Sequence, residues 1–170
     1  MHTILRRLGG LMILAMLAVT YNGCGAGPNE NPEVGSLAPK FRLDDLNGNE
    51  VLLEQFRGKV VMLDFWAIWC GPCRVSMPLL EKLQHEFSND MVLLAINLQE
   101  EPEYVREYVA RRNIGSTVLL DIDGDVGRAY RSESIPMQVL IDKEGVIRHI
   151  QVGFHPSMEG MLREEIRKLL

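Results

Sequence analysis

Residues 59–78 read KVVMLDFWAIWCGPCRVSMP, and the join inside them constrains the fold more than any other feature of the chain. "KVVMLDFWA" is an almost unbroken apolar run, rich in β-branched and aromatic residues. Such a run suits a central strand buried on both faces. A helical pattern replaces it within a few residues: Leu79, Leu80, Leu83 and Phe87 recur at helical spacing across Cys73 to Phe87, with Pro78 predicting a kink. Between strand and helix lie two cysteines two residues apart, Cys70 and Cys73. A buried strand feeding directly into a helix is the unit from which layered α/β folds are built.

The rest of the chain repeats that alternation. Asn47-Gly48 stands between two short extended runs in "FRLDDLNGNEVLL", a strong hairpin signal. "MVLLAINL" and "TVLLDI" read as buried strands, separated by a helix over 102–112 whose Pro102 suits a first turn. "MQVLID" is a further strand, turned at Lys143-Glu144-Gly145 into "VIRHIQV" at the sheet edge. The segment from Pro156 to Leu170 carries an apolar stripe of Met158, Met161, Leu162, Ile166 and Leu169. The expected architecture is α/β, a mixed central sheet flanked by helices, in one domain over 36–170.

The first 24 residues are read separately. Arg6 and Arg7 precede an apolar run from Leu8 to Val19, followed by small residues, the pattern of a secretion signal. The run is short of the roughly 20 apolar residues a membrane-spanning helix needs. Gly23-Cys24 resembles the bacterial lipobox, which implies lipidation at Cys24 and accounts for the odd one of three cysteines. An uncleaved signal anchor and a soluble exported form are the alternatives. Residues 25–35, "GAGPNENPEVG", read as a flexible tether. The implied location is the cell envelope, exported and lipid-anchored.

With 18 Lys and Arg against 23 Asp and Glu, the net charge is −5 and no basic stripe is present. That argues against nucleic acid as a partner.

The cysteine pair admits three readings: a metal clip, a structural staple or a redox pair. Zinc needs four ligands, and no second Cys pair exists to complete a set. As a staple, the pair would close a tiny loop and constrain the unfolded chain little. The redox reading has local support. Unpaired N–H groups and the dipole of a helix N-terminus stabilise a thiolate, the attacking species in disulfide exchange. Cys70, first and outermost, is the expected nucleophile, and Cys73 the resolving cysteine.

"DFWA" followed by "WCGPC" resembles the active site of thioredoxin, and Ile135-Pro136 before "MQVLID" resembles the cis-proline of that superfamily. "VGSLAPKFRLDDLNG" and the helix–strand unit after "LLAINL" resemble the TlpA/ResA-like thiol–disulfide reductases over nearly the whole domain. The resemblance implies a thioredoxin-like fold with an N-terminal β-hairpin and an inserted helix–strand unit. It implies a monomeric protein-disulfide reductase with no cofactor beyond Cys70 and Cys73. It also implies exported disulfide-bearing substrates, apocytochrome c among them, and a membrane thiol electron donor. A disulfide oxidase or isomerase, or a non-enzymatic binding module, are the rival readings on the same fold.

By resemblance, Asp64 relays a proton to and from Cys73, and Ile135 and Pro136 pair with substrate beside Trp69, Gly71 and Pro72. Asp64 should be buried with a raised pKa; the bland alternative is an Asp held by hydrogen bonds at a strand end. Trp66 is expected beneath the site and Trp69 on its rim. Gly71-Pro72 puts no charge between the cysteines, so a reducing poise is expected. The chain departs from the branch at Ser76, where many members carry Glu, and at Asp64, where many carry Asn. Met137-Gln138 stand where Thr is common, which suggests a different substrate groove. Ala67 stands where peroxiredoxins carry Thr, against a peroxidase. "DIDGDVG" lacks the glycine of a calcium loop, and "QEEPE" reads as a solvated helix start.

Overall fold

The computed structural model describes residues 32–170. The segment read as a secretion signal, Cys24 and most of the stretch read as a tether lie outside the described residues. Seven strands form one sheet: β1 (Arg42–Asp45), β2 (Glu50–Leu52), β3 (Val60–Trp66), β4 (Met91–Leu98), β5 (Thr117–Asp121), β6 (Met137–Ile141) and β7 (Ile147–Val152). Their order is β2-β1-β5-β4-β3-β6-β7. β3, β4 and β5 run parallel, and β1 and β6 flank them antiparallel. Every residue of β3 is buried. This is why its sequence is apolar throughout and not alternating.

Among the described residues four helices accompany the strands: α1 (Gly71–Glu86), α2 (Pro102–Arg112) and α3 (Asp125–Ala129) between strands, and α4 (Met158–Leu169) after the last. Side chains of β3 divide by parity between two cores. Val61, Leu63 and Phe65 pack with Phe41, Leu53, Val126 and Tyr130 on one face. Val60 and Met62 pack on the other with Leu80 and Leu83 of α1 and Met158, Leu162 and Ile166 of α4. Trp66, on that second face, packs with Met77 of α1 and with Val105 and Tyr108 of α2.

The hairpin turns at Asn47-Gly48 as expected. Gly48 takes φ +80, and the Asp45 carboxylate accepts from the backbone N–H of Asn47 and Asn49, both at 2.8 Å. α1 begins at Gly71, two residues before the expected Cys73. A first-turn proline lacks only an N–H that the helix would not have used, so Pro72 admits the helix and does not delay it. Two short elements had no counterpart in the sequence reading: a 3-10 turn over Leu53–Phe56 and α3. α3 is anchored by Asp121, whose carboxylate accepts from the N–H groups of Val126 and Gly127 at 3.2 and 2.7 Å. The aspartate that opens the calcium-like stretch is thus engaged by backbone.

Chain entry is tied down at Gly35. Its N–H donates to Ile147 at 2.8 Å, and Ile147 returns a bond to Ser36 at 2.9 Å. Among the described residues no helix is long and apolar enough to cross a membrane.

Candidate active site

β3 delivers the chain to Cys70, which caps α1. The Cys70 sulfur accepts from the Cys73 N–H at 3.2 Å, and the two residues are joined as a disulfide with Cα atoms 5.3 Å apart. The sulfur therefore occupies the position where a helix N-terminus offers unpaired donors and the positive end of its dipole. A thiolate formed there on reduction inherits the same donor. Gly71 is half-buried and Pro72 exposed.

Both cysteines are nearly inaccessible, Cys70 at 3% and Cys73 at 2%. The surface beside them belongs to Trp69, 71% exposed. Trp66 lies beneath as expected, 2% exposed, its ring tilted against that of Tyr108 with centroids 5.7 Å apart. A cleft of about 140 Å³ adjoins Cys73 on the α1–α2 side, lined by Trp66, Met77 and Tyr108 with Arg74 and Arg112.

The Ile135–Pro136 bond is cis. Pro136 is buried, and half-buried Ile135 packs against the cluster that contains Cys70 and Cys73. β6 leaves this point antiparallel to β3, pairing Met137 with Phe65 and Gln138 with Asp64.

Asp64 is fully buried on β3, on the α1 face with Met62 and Trp66. Those neighbours fix its position. Met62 packs on Leu80 and Leu83, and Trp66 packs with Cys73 and Met77, so Asp64 lies under the first turns of α1 between the two groups. Burial pushes its carboxyl from 3.8 up to about 7, while the Gln138 amide, donating to Oδ1 at 2.6 Å, acts in the opposite direction. Ser76, also fully buried, donates its hydroxyl to the Cys73 carbonyl at 3.2 Å.

Two residues of the site have roles that the sequence reading did not give them. Gln138 is not a groove residue: both it and Met137 are buried, because β6 is an interior strand with covered faces. Glu100, from the acidic run read as solvated, accepts from the Ile68 N–H at 2.8 Å and from the Asn97 side chain at 2.6 Å. It braces the turn that carries Trp69 and Cys70. Asn97 is local to Glu100, but the partners that define the two roles, Asp64 for Gln138 and Ile68 for Glu100, lie 74 and 32 residues away in sequence.

With a thioredoxin-like fold and a Cys70–Cys73 disulfide at the start of α1, the molecule is of the thiol–disulfide oxidoreductase class. Residues 33–165 match the Redoxin family model. The chain is 34% identical to the thiol-disulfide oxidoreductase ResA of Geobacillus thermodenitrificans over 161 residues, covering 94% of this chain and 89% of that one. Among solved structures, a Chlorobium tepidum protein assigned as a thiol:disulfide interchange protein DsbE superposes with TM-score 0.77 at 33% identity, covering 81% of this chain and 97% of the other. The pneumococcal exposed lipoprotein thioredoxin Etrx1 of Streptococcus pneumoniae superposes with TM-score 0.69 at 26% identity, covering 77% and 100%. The chain belongs to the Redoxin family. It is a thiol–disulfide oxidoreductase of the ResA/DsbE type with a Cys70–Cys73 pair.

Proposed function

We propose that the protein reduces disulfide bonds in exported proteins. The observation that carries this reading is the Cys70–Cys73 pair at the start of α1, with an uncharged Gly-Pro between the sulfurs. Strong oxidants gain their power by over-stabilising the reduced thiolate. Here the cap donor is a single backbone N–H, a moderate stabilisation that suits a reductant.

In the cycle, the Cys70 thiolate attacks a substrate disulfide R–S–S–R′. The R′ thiolate leaves and takes up a proton, and R stays bound as a mixed disulfide. Cys73 then gives its thiol proton to the Asp64 carboxylate and attacks the Cys70 sulfur. R leaves as a thiolate and is protonated, and Asp64 returns its proton to solvent. Two electrons pass from the cysteine pair to the substrate, and the pair ends as the disulfide. The chemistry calls for no cofactor beyond the pair. Asp64 acts as an acid–base group because its carboxyl, at about 7, can both hold and release a proton near neutral pH. Trp69, Gly71, Pro72, Ile135 and Pro136 form the substrate surface. The backbone beside Pro136 pairs with an extended segment, and exposed Trp69 supplies amphipathic contact area.

Export is supported by the Arg6-Arg7 and Leu8–Val19 pattern, and anchoring at Cys24 by Gly23-Cys24 and by the likeness to an exposed lipoprotein thioredoxin. Disulfides persist outside the cytoplasm, so the pair must be recharged there by a membrane thiol donor. Apocytochrome c is a substrate of the right kind. The protein works as a monomer.

The test is substrate capture. A Cys73→Ser variant expressed in envelope-bearing cells retains Cys70 and lacks the resolving thiol, so it should accumulate mixed disulfides with exported proteins. If capture instead depends on Cys73 and survives Cys70→Ser, the assigned roles are reversed.

A further inference from the structure

The Asp64–Gln138 pair has a feature that a merely structural hydrogen bond does not need. Both residues are wholly buried and stand directly opposite in the β3–β6 register. Gln138 Nε2 donates to Asp64 Oδ1 at 2.6 Å, while Asp64 Oδ2 and Gln138 Oε1 have no hydrogen-bond partner among the described residues. Buried polar atoms in folded proteins are nearly always paired, and an exception points to a role. The amide's one bond is to the acid, and the acid's second oxygen is left open.

We propose that Gln138 is a positioning residue for proton transfer, holding Asp64 Oδ1 so that Oδ2 is the atom that takes the Cys73 proton and returns it. This deepens the reading of Asp64 as the proton relay and rests on it. The step balances: Cys73 Sγ–H and ionised Asp64 become the Cys73 thiolate and protonated Asp64, with no change in charge.

The surroundings leave the pair isolated. β4 presents Ala95 opposite Asp64. α1 contributes Cys73 and the hydroxyl of Ser76, α4 the apolar Met158, Leu162 and Ile166, α2 Tyr108 packed with Trp66, and β7 Gln151 opposite Gln138, with His149 further along opposite Leu140. No charged group shapes the Asp64 ionisation; burial raises it and the Gln138 bond lowers it. Gln138 also sits two residues after Pro136, which immediately precedes β6. The segment that presents the proline thus leads directly into the strand that holds the acid.

Removing the donor withdraws the one influence that favours the carboxylate. Gln138→Met keeps length and approximate volume without the amide. The experiment follows the mixed-disulfide resolution step by stopped flow, using the reduced full-length protein and a chromogenic dithiodipyridine, across neutral and alkaline pH. The midpoint of the pH profile should move up by about one unit, a rate loss of up to about tenfold at neutral pH that recovers in alkali. An unmoved midpoint, or a loss equal at every pH, overturns the proposal. Gln138→Asn, with the amide drawn back by one methylene, serves if the Met variant does not fold and should shift the same way. Asp64→Asn separates the two ideas. If the neutral limb survives in it, the relay reading fails; if it abolishes the limb that Gln138→Met leaves in place, only the Gln138 role fails.

Discussion

Replacing Asp64 by Asn should change stability in a pH-dependent way that no surface substitution imitates. In the unfolded chain the carboxyl titrates near 3.8, and in the fold at about 7. Below the unfolded value it is protonated in both states and the buried charge never forms. Between the two values the folded protein holds a proton that the unfolded chain has released. Stability then falls as pH rises, by about 1.36 kcal/mol per unit. Across roughly three units the loss is about 4 kcal/mol, complete once pH passes the folded value. Asn carries no such charge and suffers no such loss. The stability difference between Asp64→Asn and wild type should therefore move in the variant's favour by about 4 kcal/mol between pH 4 and 8. All other titrating groups cancel in that difference. Urea unfolding of both oxidised proteins at a series of pH values measures it. A difference constant to within about 1 kcal/mol would refute the argument, because the carboxyl would then be solvated or paired in the fold.

Other substitutions probe the parts around it. Glu100→Ala leaves the Ile68 N–H and the Asn97 amide without their acceptor, and should cost about 2 kcal/mol in urea unfolding and slow disulfide exchange by loosening the turn that carries Cys70. Trp69→Ala, at a residue 71% exposed, should leave stability within about 0.5 kcal/mol while raising KM for a protein disulfide several-fold and leaving the small-disulfide rate near wild type.

The site was legible where its parts are contiguous. Strand, cysteine pair and helix form one run from Val60 to Glu86, and the change from a continuous apolar stretch to helical spacing marks the join. Asp64 could be placed by the likeness of its motif to thioredoxin and Trp66 by its aromatic bulk at the strand end, and the fold matched because each long element carries its own period. What stayed hidden depends on pairing across the chain. Gln138 reads as a groove position until β6 is set antiparallel to β3, which puts it opposite Asp64. Glu100 stands in an acidic run that reads as solvent-facing, and only the return of the chain past Ile68 gives it a buried task. α3 is five residues long and includes a glycine, too short for any period to show. It depends on the Asp121 carboxylate and not on an apolar stripe.

The central claim, that Cys70 and Cys73 donate electrons to exported disulfides, is tested most directly by the equilibrium reduction potential of the pair in the full-length protein. Equilibration against glutathione or dithiothreitol series gives it. The account predicts a value near that of thioredoxin, about −270 mV. A value above about −150 mV, towards the strong-oxidant end, would contradict it and assign the pair to disulfide formation instead.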